Sequence, residues 1–288
     1  MRKGTKAQRD KATVDSVLKN ALHEDIGSGD ITTSAIISEK DISLAVIIAK
    51  EDFILAGLPF AGRTFKLVDS EVKFKAKKRD GSRIRKGTVI AEIKGKTRSL
   101  LLAERTALNL LQRLSGIATL TNKFVERVAG LPVKILDTRK TTPGLRFFEK
   151  YAVKMGGGCN HRYGLFDGIL IKDNHISAAG GVKKAVKLAK SRVDKSFKIE
   201  VEAKSIKEVK DALSSGADII MLDNMAVDEM TKAVKIIRSH KADVVIEASG
   251  NVNLENLRAI AETGVDMISA GALTHSAPAA DISMKIRR

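Results

Sequence analysis

The chain has 288 residues, of which 43% are hydrophobic and 30% charged, and its formal net charge is +17. This composition predicts a globular protein of one large or two ordinary domains, and the lack of any run of about eighteen uncharged apolar residues argues against a membrane span. The lone cysteine, Cys159, excludes a disulfide within the chain, and the basic N-terminus lacks the apolar segment of a signal peptide, so we expect a cytoplasmic protein.

The first part of the chain predicts an α+β domain. Helices are predicted at residues 13–25 and 100–130, and strands at 43–50, 71–77 and 87–95. Strands grouped before a long helix are typical of this architecture. Residues 81–95 are predicted to form a plain hairpin. We therefore expect an N-terminal α+β sandwich domain over residues 1–112, with the C-terminal segment 274–288 packing on it.

The second part repeats a strand-then-helix pattern. Short apolar runs that end in polar residues occur at 133–140, 168–175, 198–205, 218–224, 243–251 and 266–273. Helical periodicity follows most of them, which predicts a parallel sheet covered by helices. An open doubly wound sheet and a closed barrel both fit this alternation. Because the G-x-G-x-x-G fingerprint is missing and polar residues end every strand, we expect a β/α barrel of fewer than eight strands over residues 113–273.

Cationic side chains lie at the ends of the first two of these runs and directly after a glycine-rich loop. The segments concerned contain Thr138, Arg139, Lys140, His161, Arg162 and Lys172. Three glycines precede the histidine–arginine pair, and glycine lets the backbone approach a ligand closely. Arginine can grip a carboxylate through two hydrogen bonds, whereas lysine acts as a point charge suited to phosphate. Each residue alone also fits a surface or structural role, but together they predict a site for a small, highly anionic ligand.

Carboxylates lie on the next two strands. Glu200 and Glu202 share one face of a predicted strand, and Asp223 ends the following one. Two carboxylates inside a barrel are costly unless a cation neutralises them. Oxygen ligands without His or Cys beside them suit Mg²⁺, which keeps water ligands and takes phosphate oxygens from a substrate. An internal salt bridge to Lys172 or Arg139 is the alternative, and we expect Mg²⁺ at Glu202 and Asp223.

Small residues end the last two strands. Ser249, Gly250 and Gly271 offer free backbone N–H groups there. The final two loops of a barrel recurrently form a phosphate site. We therefore expect a phosphate group to bind at these three positions.

Long motifs also run through the chain in order. They include "HEDIGSGDITT" (23–33), "AERTALNLLQRLSGIAT" (103–119), "LDTRKTTPGLR" (136–146), "EKYAVKMGGGCNHRYGLFD" (149–167), "IKDNH" (171–175) and "SGN" (249–251). Together they resemble the quinolinate phosphoribosyltransferase family over residues 13–287. The resemblance implies transfer of a phosphoribosyl group from phosphoribosyl pyrophosphate to quinolinate, with Mg²⁺. The implied products are nicotinate mononucleotide, pyrophosphate and carbon dioxide, in NAD biosynthesis.

The resemblance further implies how quinolinate is held. Arg139, His161, Arg162 and Lys172 match the quinolinate-binding positions of the family. The family pattern also implies a homodimer, or a larger assembly of such dimers. In it Arg105 reaches the quinolinate bound by the partner subunit.

For the second substrate, the resemblance implies catalytic roles for three residues. Lys140 matches a position that touches the phosphoribosyl group, and Glu202 and Asp223 match the pair that faces the ribose and the metal. The positions that match the phosphate end are Ser249, Gly250, Gly271 and His275.

Two other functions stay open on the sequence. A paralogous phosphoribosyltransferase would use the same scaffold for a different base. A nucleic-acid-binding protein would explain the net charge, but the basic residues are spread along the chain and only 4% of residues are aromatic. We therefore expect small-molecule substrates, with no nucleic acid and no membrane as partner.

Overall fold

The structure is a computed structural model that describes residues 6–194, 196–240 and 243–287, with side chains from residue 12 onward. The chain divides into two compact units. The first unit holds the described residues up to Leu120, together with residues 142–156 and those from Ala277 onward. The second unit holds residues 121–141 and 157–276. Residues 1–5, the start of the basic N-terminus interpreted above, lie outside the described residues.

The first unit is built on a four-stranded antiparallel sheet. Its strands are β1 (Ile42–Ala49), β3 (Lys73–Ala76), β5 (Val89–Lys96) and β12 (Ile282–Arg287), in the order β12-β1-β5-β3. Its helices are α1 (Lys6–Ile26), α2 (Ile31–Ile36), α3 (Leu58–Val68), most of α4 (Thr97–Arg127) and α5 (Arg146–Met155). Because β12 pairs with β1, the C-terminal strand belongs to the same sheet as the N-terminal strands.

A single apolar stripe explains how α4 packs in this unit. Leu100, Ala103, Ala107, Leu111 and Leu114 recur every three or four residues and are completely buried. This spacing places them on one face of a helix. All of the stripe except Leu114 belongs to a core that includes Ile47, Phe65 and Ile93.

The predicted hairpin at residues 81–95 is wrong. The short strand β4 (Arg83–Ile84) pairs with β2 (Phe53–Ile54) in a separate two-stranded sheet. β5 instead pairs with β1 and β3. Pairing on both edges lets β5 bury Ile90 and Ile93 completely, which a two-stranded hairpin exposed to water would not achieve.

The second unit is an incomplete barrel of six parallel strands. The strands are β6 (Lys134–Leu136), β7 (Ile169–Ile171), β8 (Ile199–Ala203), β9 (Ile219–Asp223), β10 (Val245–Ser249) and β11 (Met267–Ser269). Their order is β6-β11-β10-β9-β8-β7. The predicted fold class, an N-terminal α+β domain followed by a barrel of fewer than eight strands, is confirmed. None of the described helices has the length and apolar character needed to cross a membrane.

Helices cover these strands, as the apolar runs predict. They are α6 (Asp173–Ala179), α7 (Val182–Arg192), α8 (Ile206–Ser214), α9 (Val227–His240), α10 (Leu257–Glu262) and α11 (Ala272–His275). Val201, Ile220 and Ile246 are completely buried in the sheet, as are Val209 on α8 and Ile237 on α9. Strands buried on both faces read as nearly continuous apolar runs.

The predicted strand at residues 168–175 is too long. β7 ends at Ile171, and α6 begins at Asp173 with Lys172 as its N-cap residue. The side chain of His175 accepts a hydrogen bond from the backbone N–H of Lys172 at 3.0 Å, which caps the first turn. Residues 173–175 therefore follow helical geometry and do not continue the strand.

Candidate active site

A cavity of about 580 Å³ lies at the C-terminal ends of the barrel strands. All the predicted site residues except Arg105 line it, namely Thr138, Arg139, Lys140, His161, Arg162, Lys172, Glu202, Asp223, Ser249, Gly250, Gly271 and His275. Arg105 is an exposed residue of α4 in the first unit. The parallel order of the strands explains the convergence, because their C-terminal ends meet at the same edge.

The loop after β6 is held by its own polar groups. The hydroxyl of Thr138 accepts a hydrogen bond from the backbone N–H of Lys140 at 3.0 Å. The hydroxyl of Thr274 donates to the backbone carbonyl of Lys140 at 2.7 Å. These contacts fix the backbone that carries half-buried Arg139 and exposed Lys140 at the cavity wall.

His161 and Arg162 are held by a buried aspartate and by each other. The backbone N–H of His161 donates to Asp137, which is completely buried, at 2.9 Å. Arg162 donates from Nη1 to the carbonyl of Gly168 at 2.9 Å. Its Nε is buried and donates to no group in the described part of the chain. Burial and the nearby charge of Arg139 lower the pKa of Arg162, and an anionic ligand would relieve both effects.

Lys172 pairs with Glu202 across the ends of β7 and β8. The distance from Nζ to Oε1 is 2.5 Å, and the Glu202 side chain is only 9% exposed. The salt bridge weighed above as an alternative to Mg²⁺ is therefore present. A buried carboxylate needs such a partner, so this pair fixes both side chains at the cavity.

Glu202 and Asp223 could also hold a metal ion. Both carboxylates line the cavity from adjacent strands. Asp223 Oδ1 accepts a hydrogen bond from Asn224 at 3.2 Å, and Lys204 Nζ lies 4.0 Å from Asp223 Oδ2. Two carboxylates are a donor set that fits Mg²⁺, since this ion usually keeps waters and takes substrate oxygens as its other ligands.

The loops that follow β9 and β10 lie against each other and are joined by hydrogen bonds. Asn224 and Asn251 have positive φ angles of 54° and 48°, and Gly250 has a φ of +95°. The amide of Asn251 donates to Asn224 Oδ1 at 3.0 Å, and the backbone N–H of Asn224 donates to the carbonyl of Ser249 at 2.9 Å. Positive φ at non-glycine residues stores strain and is concentrated at functional sites.

Gly271 and His275 complete this end of the cavity. A Cβ atom on Gly271 would lie 2.9 Å from Cδ of Lys140 and 3.1 Å from Nε2 of His275. Only glycine therefore leaves both side chains their present positions.

Sequence reasoning missed residues at both ends of the site. Asn224, Asn251 and Asn253 line the cavity, although the sequence patterns assign none of them a role. Glu247 lies behind the cavity wall, completely buried near His161 and Glu200. The available signal was a carboxylate in the middle of the apolar run "VVIEA".

Comparisons with known proteins agree over nearly the whole chain. Residues 30–115 match the family model "Quinolinate phosphoribosyl transferase, N-terminal domain", and residues 117–285 match the corresponding C-terminal domain. Probable carboxylating nicotinate-nucleotide pyrophosphorylases of Synechocystis and Bacillus subtilis are each 46% identical, over 96% and 94% of this chain and 93% and 92% of theirs. The solved nicotinate-nucleotide pyrophosphorylase of Francisella tularensis is 43% identical with a TM-score of 0.91, and 96% of each chain is covered.

Proposed function

We infer the activity of this chain from its family, since the chain belongs to the quinolinate phosphoribosyltransferases. It is a pentosyltransferase that moves the phosphoribosyl group of phosphoribosyl pyrophosphate onto the ring nitrogen of quinolinate. The quinolinate loses one carboxyl group as carbon dioxide. The other products are nicotinate mononucleotide and pyrophosphate, and the reaction is a step of NAD biosynthesis.

One observation carries this proposal. A single cavity combines Arg139, Arg162 and Lys172 with two carboxylates and a small-residue turn. Quinolinate is a dianion, and phosphoribosyl pyrophosphate brings several phosphate groups to the same place. The cationic wall suits the first, and Lys140 with the Ser249–Gly250 turn suits the second.

The cationic wall orients the pyridine ring. The buried Nε of Arg162 donates no hydrogen bond within the described residues, so it can donate one to a carboxylate of quinolinate. Arg139 and Lys172 provide further positive charge in the same cavity. With both carboxylates held, the ring nitrogen is aimed at the anomeric carbon, and such orientation removes much of the entropic barrier.

The acidic side of the cavity stabilises the sugar. Departure of pyrophosphate develops positive charge at the ribose ring, and Glu202 and Asp223, which line the cavity, are the carboxylates that we propose stabilise it. The positive charge of Lys140 can stabilise the negative charge that develops on the departing pyrophosphate. The Lys172–Glu202 ion pair holds the glutamate in place for this role.

We propose that Mg²⁺ binds with the phosphoribosyl pyrophosphate at Glu202 and Asp223. Support comes from the two adjacent carboxylates described above, which leave ligand positions for waters and phosphate oxygens. When bound, the ion neutralises charge on the departing pyrophosphate.

Decarboxylation uses the substrate itself. Transfer of the ribose makes the ring nitrogen cationic, so the ring stabilises the electron pair that stays on its carbon when the adjacent carboxyl group leaves as carbon dioxide. A proton from water then adds to this carbon and gives nicotinate mononucleotide. The pyridinium therefore acts as the electron sink that a cofactor supplies in other decarboxylases.

We also propose a homodimer in a cytoplasmic setting. The dimer is supported by the segment "AERT", which resembles the family pattern and contains the exposed Arg105. The cytoplasmic setting is supported by the single cysteine of the chain. In this arrangement Arg105 completes the site of the partner subunit.

The test is release of carbon dioxide from quinolinate labelled in its 2-carboxyl group. We expect release that depends on both phosphoribosyl pyrophosphate and Mg²⁺. Nicotinate should be a very poor substrate, because it lacks the second carboxylate that the cationic wall binds. Comparable rates with the two acids, or no release from quinolinate, would contradict the assignment and favour a different base.

A further inference from the structure

A buried acid lies behind the cationic wall. His161 and Arg162 line the substrate cavity and also a second cavity of about 480 Å³, which Glu200 and Glu247 line as well. Potential ligand atoms of His161, Glu200 and Glu247 all lie within 4.8 Å of one another. Glu247 is completely buried, and no step of the proposed reaction uses it.

Glu247 lacks the contacts that an ionised buried carboxylate needs. Neither of its oxygens accepts a hydrogen bond from the described residues, and His161 Nε2 lies 3.6 Å from Oε2. The hydroxyl of Ser269 donates to Ser249 at 3.0 Å, and its proximity to Glu247 lowers the pKa of that carboxyl less than burial raises it. Burial first, and then the negative charge of Glu200, raise the pKa of Glu247 to about 7. Near neutral pH the side chain therefore holds a proton for much of the time.

The geometry at His161 argues against a metal ion bound between His161, Glu200 and Glu247. Its Nδ1 accepts a hydrogen bond from the backbone N–H of Arg162 at 2.8 Å. The ring proton therefore resides on Nε2, which lies 3.2 Å from Glu200 Oε2. A neutral histidine that bound a metal through Nε2 would carry its proton on Nδ1, where it would face the N–H of Arg162.

Several charged groups surround Glu247. The strands paired with β10 place Met221 and Met267 beside it, which carry no charge. The charged and titratable groups that act on it or share its cavity are His161, Arg162, Asp167, Lys198, Glu200 and Glu202. With Glu247 neutral, His161 and Arg162 face one fewer negative charge.

We propose that Glu247 is a positioning residue whose neutral form supports His161 and Arg162, and that its ionisation weakens the binding of a dicarboxylate in the substrate cavity. The inference rests on the proposed function, because quinolinate is the dicarboxylate concerned. Ionisation places an additional negative charge inside the barrel, where water screens it poorly. That charge repels the dianion and competes with it for the positive charge of Arg162.

The first experiment measures KM for quinolinate, KM for phosphoribosyl pyrophosphate and kcat between pH 6 and pH 8.5. The proteins are the wild type, Glu247→Gln and the control Glu262→Gln, which changes an exposed glutamate of α10. Both carboxylates of quinolinate are ionised throughout this range. We expect KM for quinolinate to rise on the order of tenfold with pH in the wild type and the control, and to stay nearly constant in Glu247→Gln. The other two parameters should follow the same pH profile in all three proteins.

The second experiment needs no substrate and compares midpoints of thermal unfolding at pH 5.5 and pH 8.5. A raised pKa means that folded Glu247 keeps a proton that the unfolded chain has lost. Its favourable contribution is therefore present below the unfolded value of 4.5 and is lost as the pH rises through about 7. We expect Glu247→Gln to gain several degrees on the wild type between the lower and the higher pH, and Glu262→Gln to gain none.

The outcomes separate this inference from the proposed function. A KM profile that is unchanged in Glu247→Gln, or an unfolding difference that is equal at both pH values, would overturn the role of Glu247. Failure of every protein to use quinolinate would overturn the proposed function and the binding part of the inference. The unfolding comparison would then still decide whether Glu247 is neutral.

Discussion

At Gly250 the absence of a side chain shapes the end of the cavity where we propose that phosphate binds. Its φ of +95° is a conformation that residues with a Cβ rarely adopt, and an added Cβ would lie 2.2 Å from Asn224 Oδ1. Asn224 is held in turn by Asn251. A methyl group here would therefore displace the asparagine pair that joins the ends of β9 and β10.

We expect Gly250→Ala to raise KM for phosphoribosyl pyrophosphate much more than KM for quinolinate. The matched control is Gly130→Ala, since Gly130 has a similar φ of +85° but no atom within 4 Å of an added Cβ. Both variants should lose about 1 kcal/mol of unfolding free energy from backbone strain, whereas only Gly250→Ala should lose substrate affinity. Steady-state kinetics and urea unfolding measure the two effects, and equal kinetics in the two variants would contradict this role of the turn.

At the scale of elements, strand identity was easier to predict than strand ends. Lys172 follows the apolar residues Ile169, Leu170 and Ile171, a pattern that predicts a continuing strand, but the chain turns into α6 after Ile171. Neighbouring side chains decide this point, because Lys172 leaves the strand to pair with Glu202 on β8. A local pattern contains no information about a partner thirty residues away.

The contact between α4 and α5 gives an element-scale prediction. Arg113 on α4 binds Glu149 on α5 at 2.9 Å, and Glu149 is completely buried. We expect Arg113→Ala to lower the free energy of unfolding by about 3–5 kcal/mol, because it leaves the buried carboxylate without its cationic partner. Urea unfolding measures the loss.

The double variant Arg113→Met with Glu149→Leu is the control for this pair. It removes both charges and fills the space with apolar atoms, so it should recover much of the lost stability. A loss below about 1 kcal/mol in the single variant would mean that water reaches Glu149 and that the ion pair contributes little.

At the scale of the whole molecule, the proposed shared site predicts complementation between two inactive proteins. Arg105→Ala removes the residue expected to act on the partner's substrate, and Arg162→Ala removes a residue of the cavity itself. We expect each variant alone to be nearly inactive but folded, with circular dichroism like that of the wild type. Subunits mixed and exchanged in equal amounts should recover about a quarter of wild-type activity, because half the dimers then hold one intact site. Mixtures as inactive as their components would place Arg105 in the site of its own chain, or in none.

The sequence by itself determined the family, the α+β and barrel classes, and the residue types at the mouth of the barrel. These follow from periodicity, from long motifs and from the rule that parallel strands present their C-terminal ends together, all of which are read along the chain. The tertiary structure alone decided that β5 pairs with β1 and β3 rather than with β4, that Lys172 binds Glu202, and that Glu247 lies buried beside Glu200. The physical reason is that burial, pairing and proton affinity depend on groups brought together from distant parts of the chain, and Glu247 became visible only when His161 and Glu200 were found beside it.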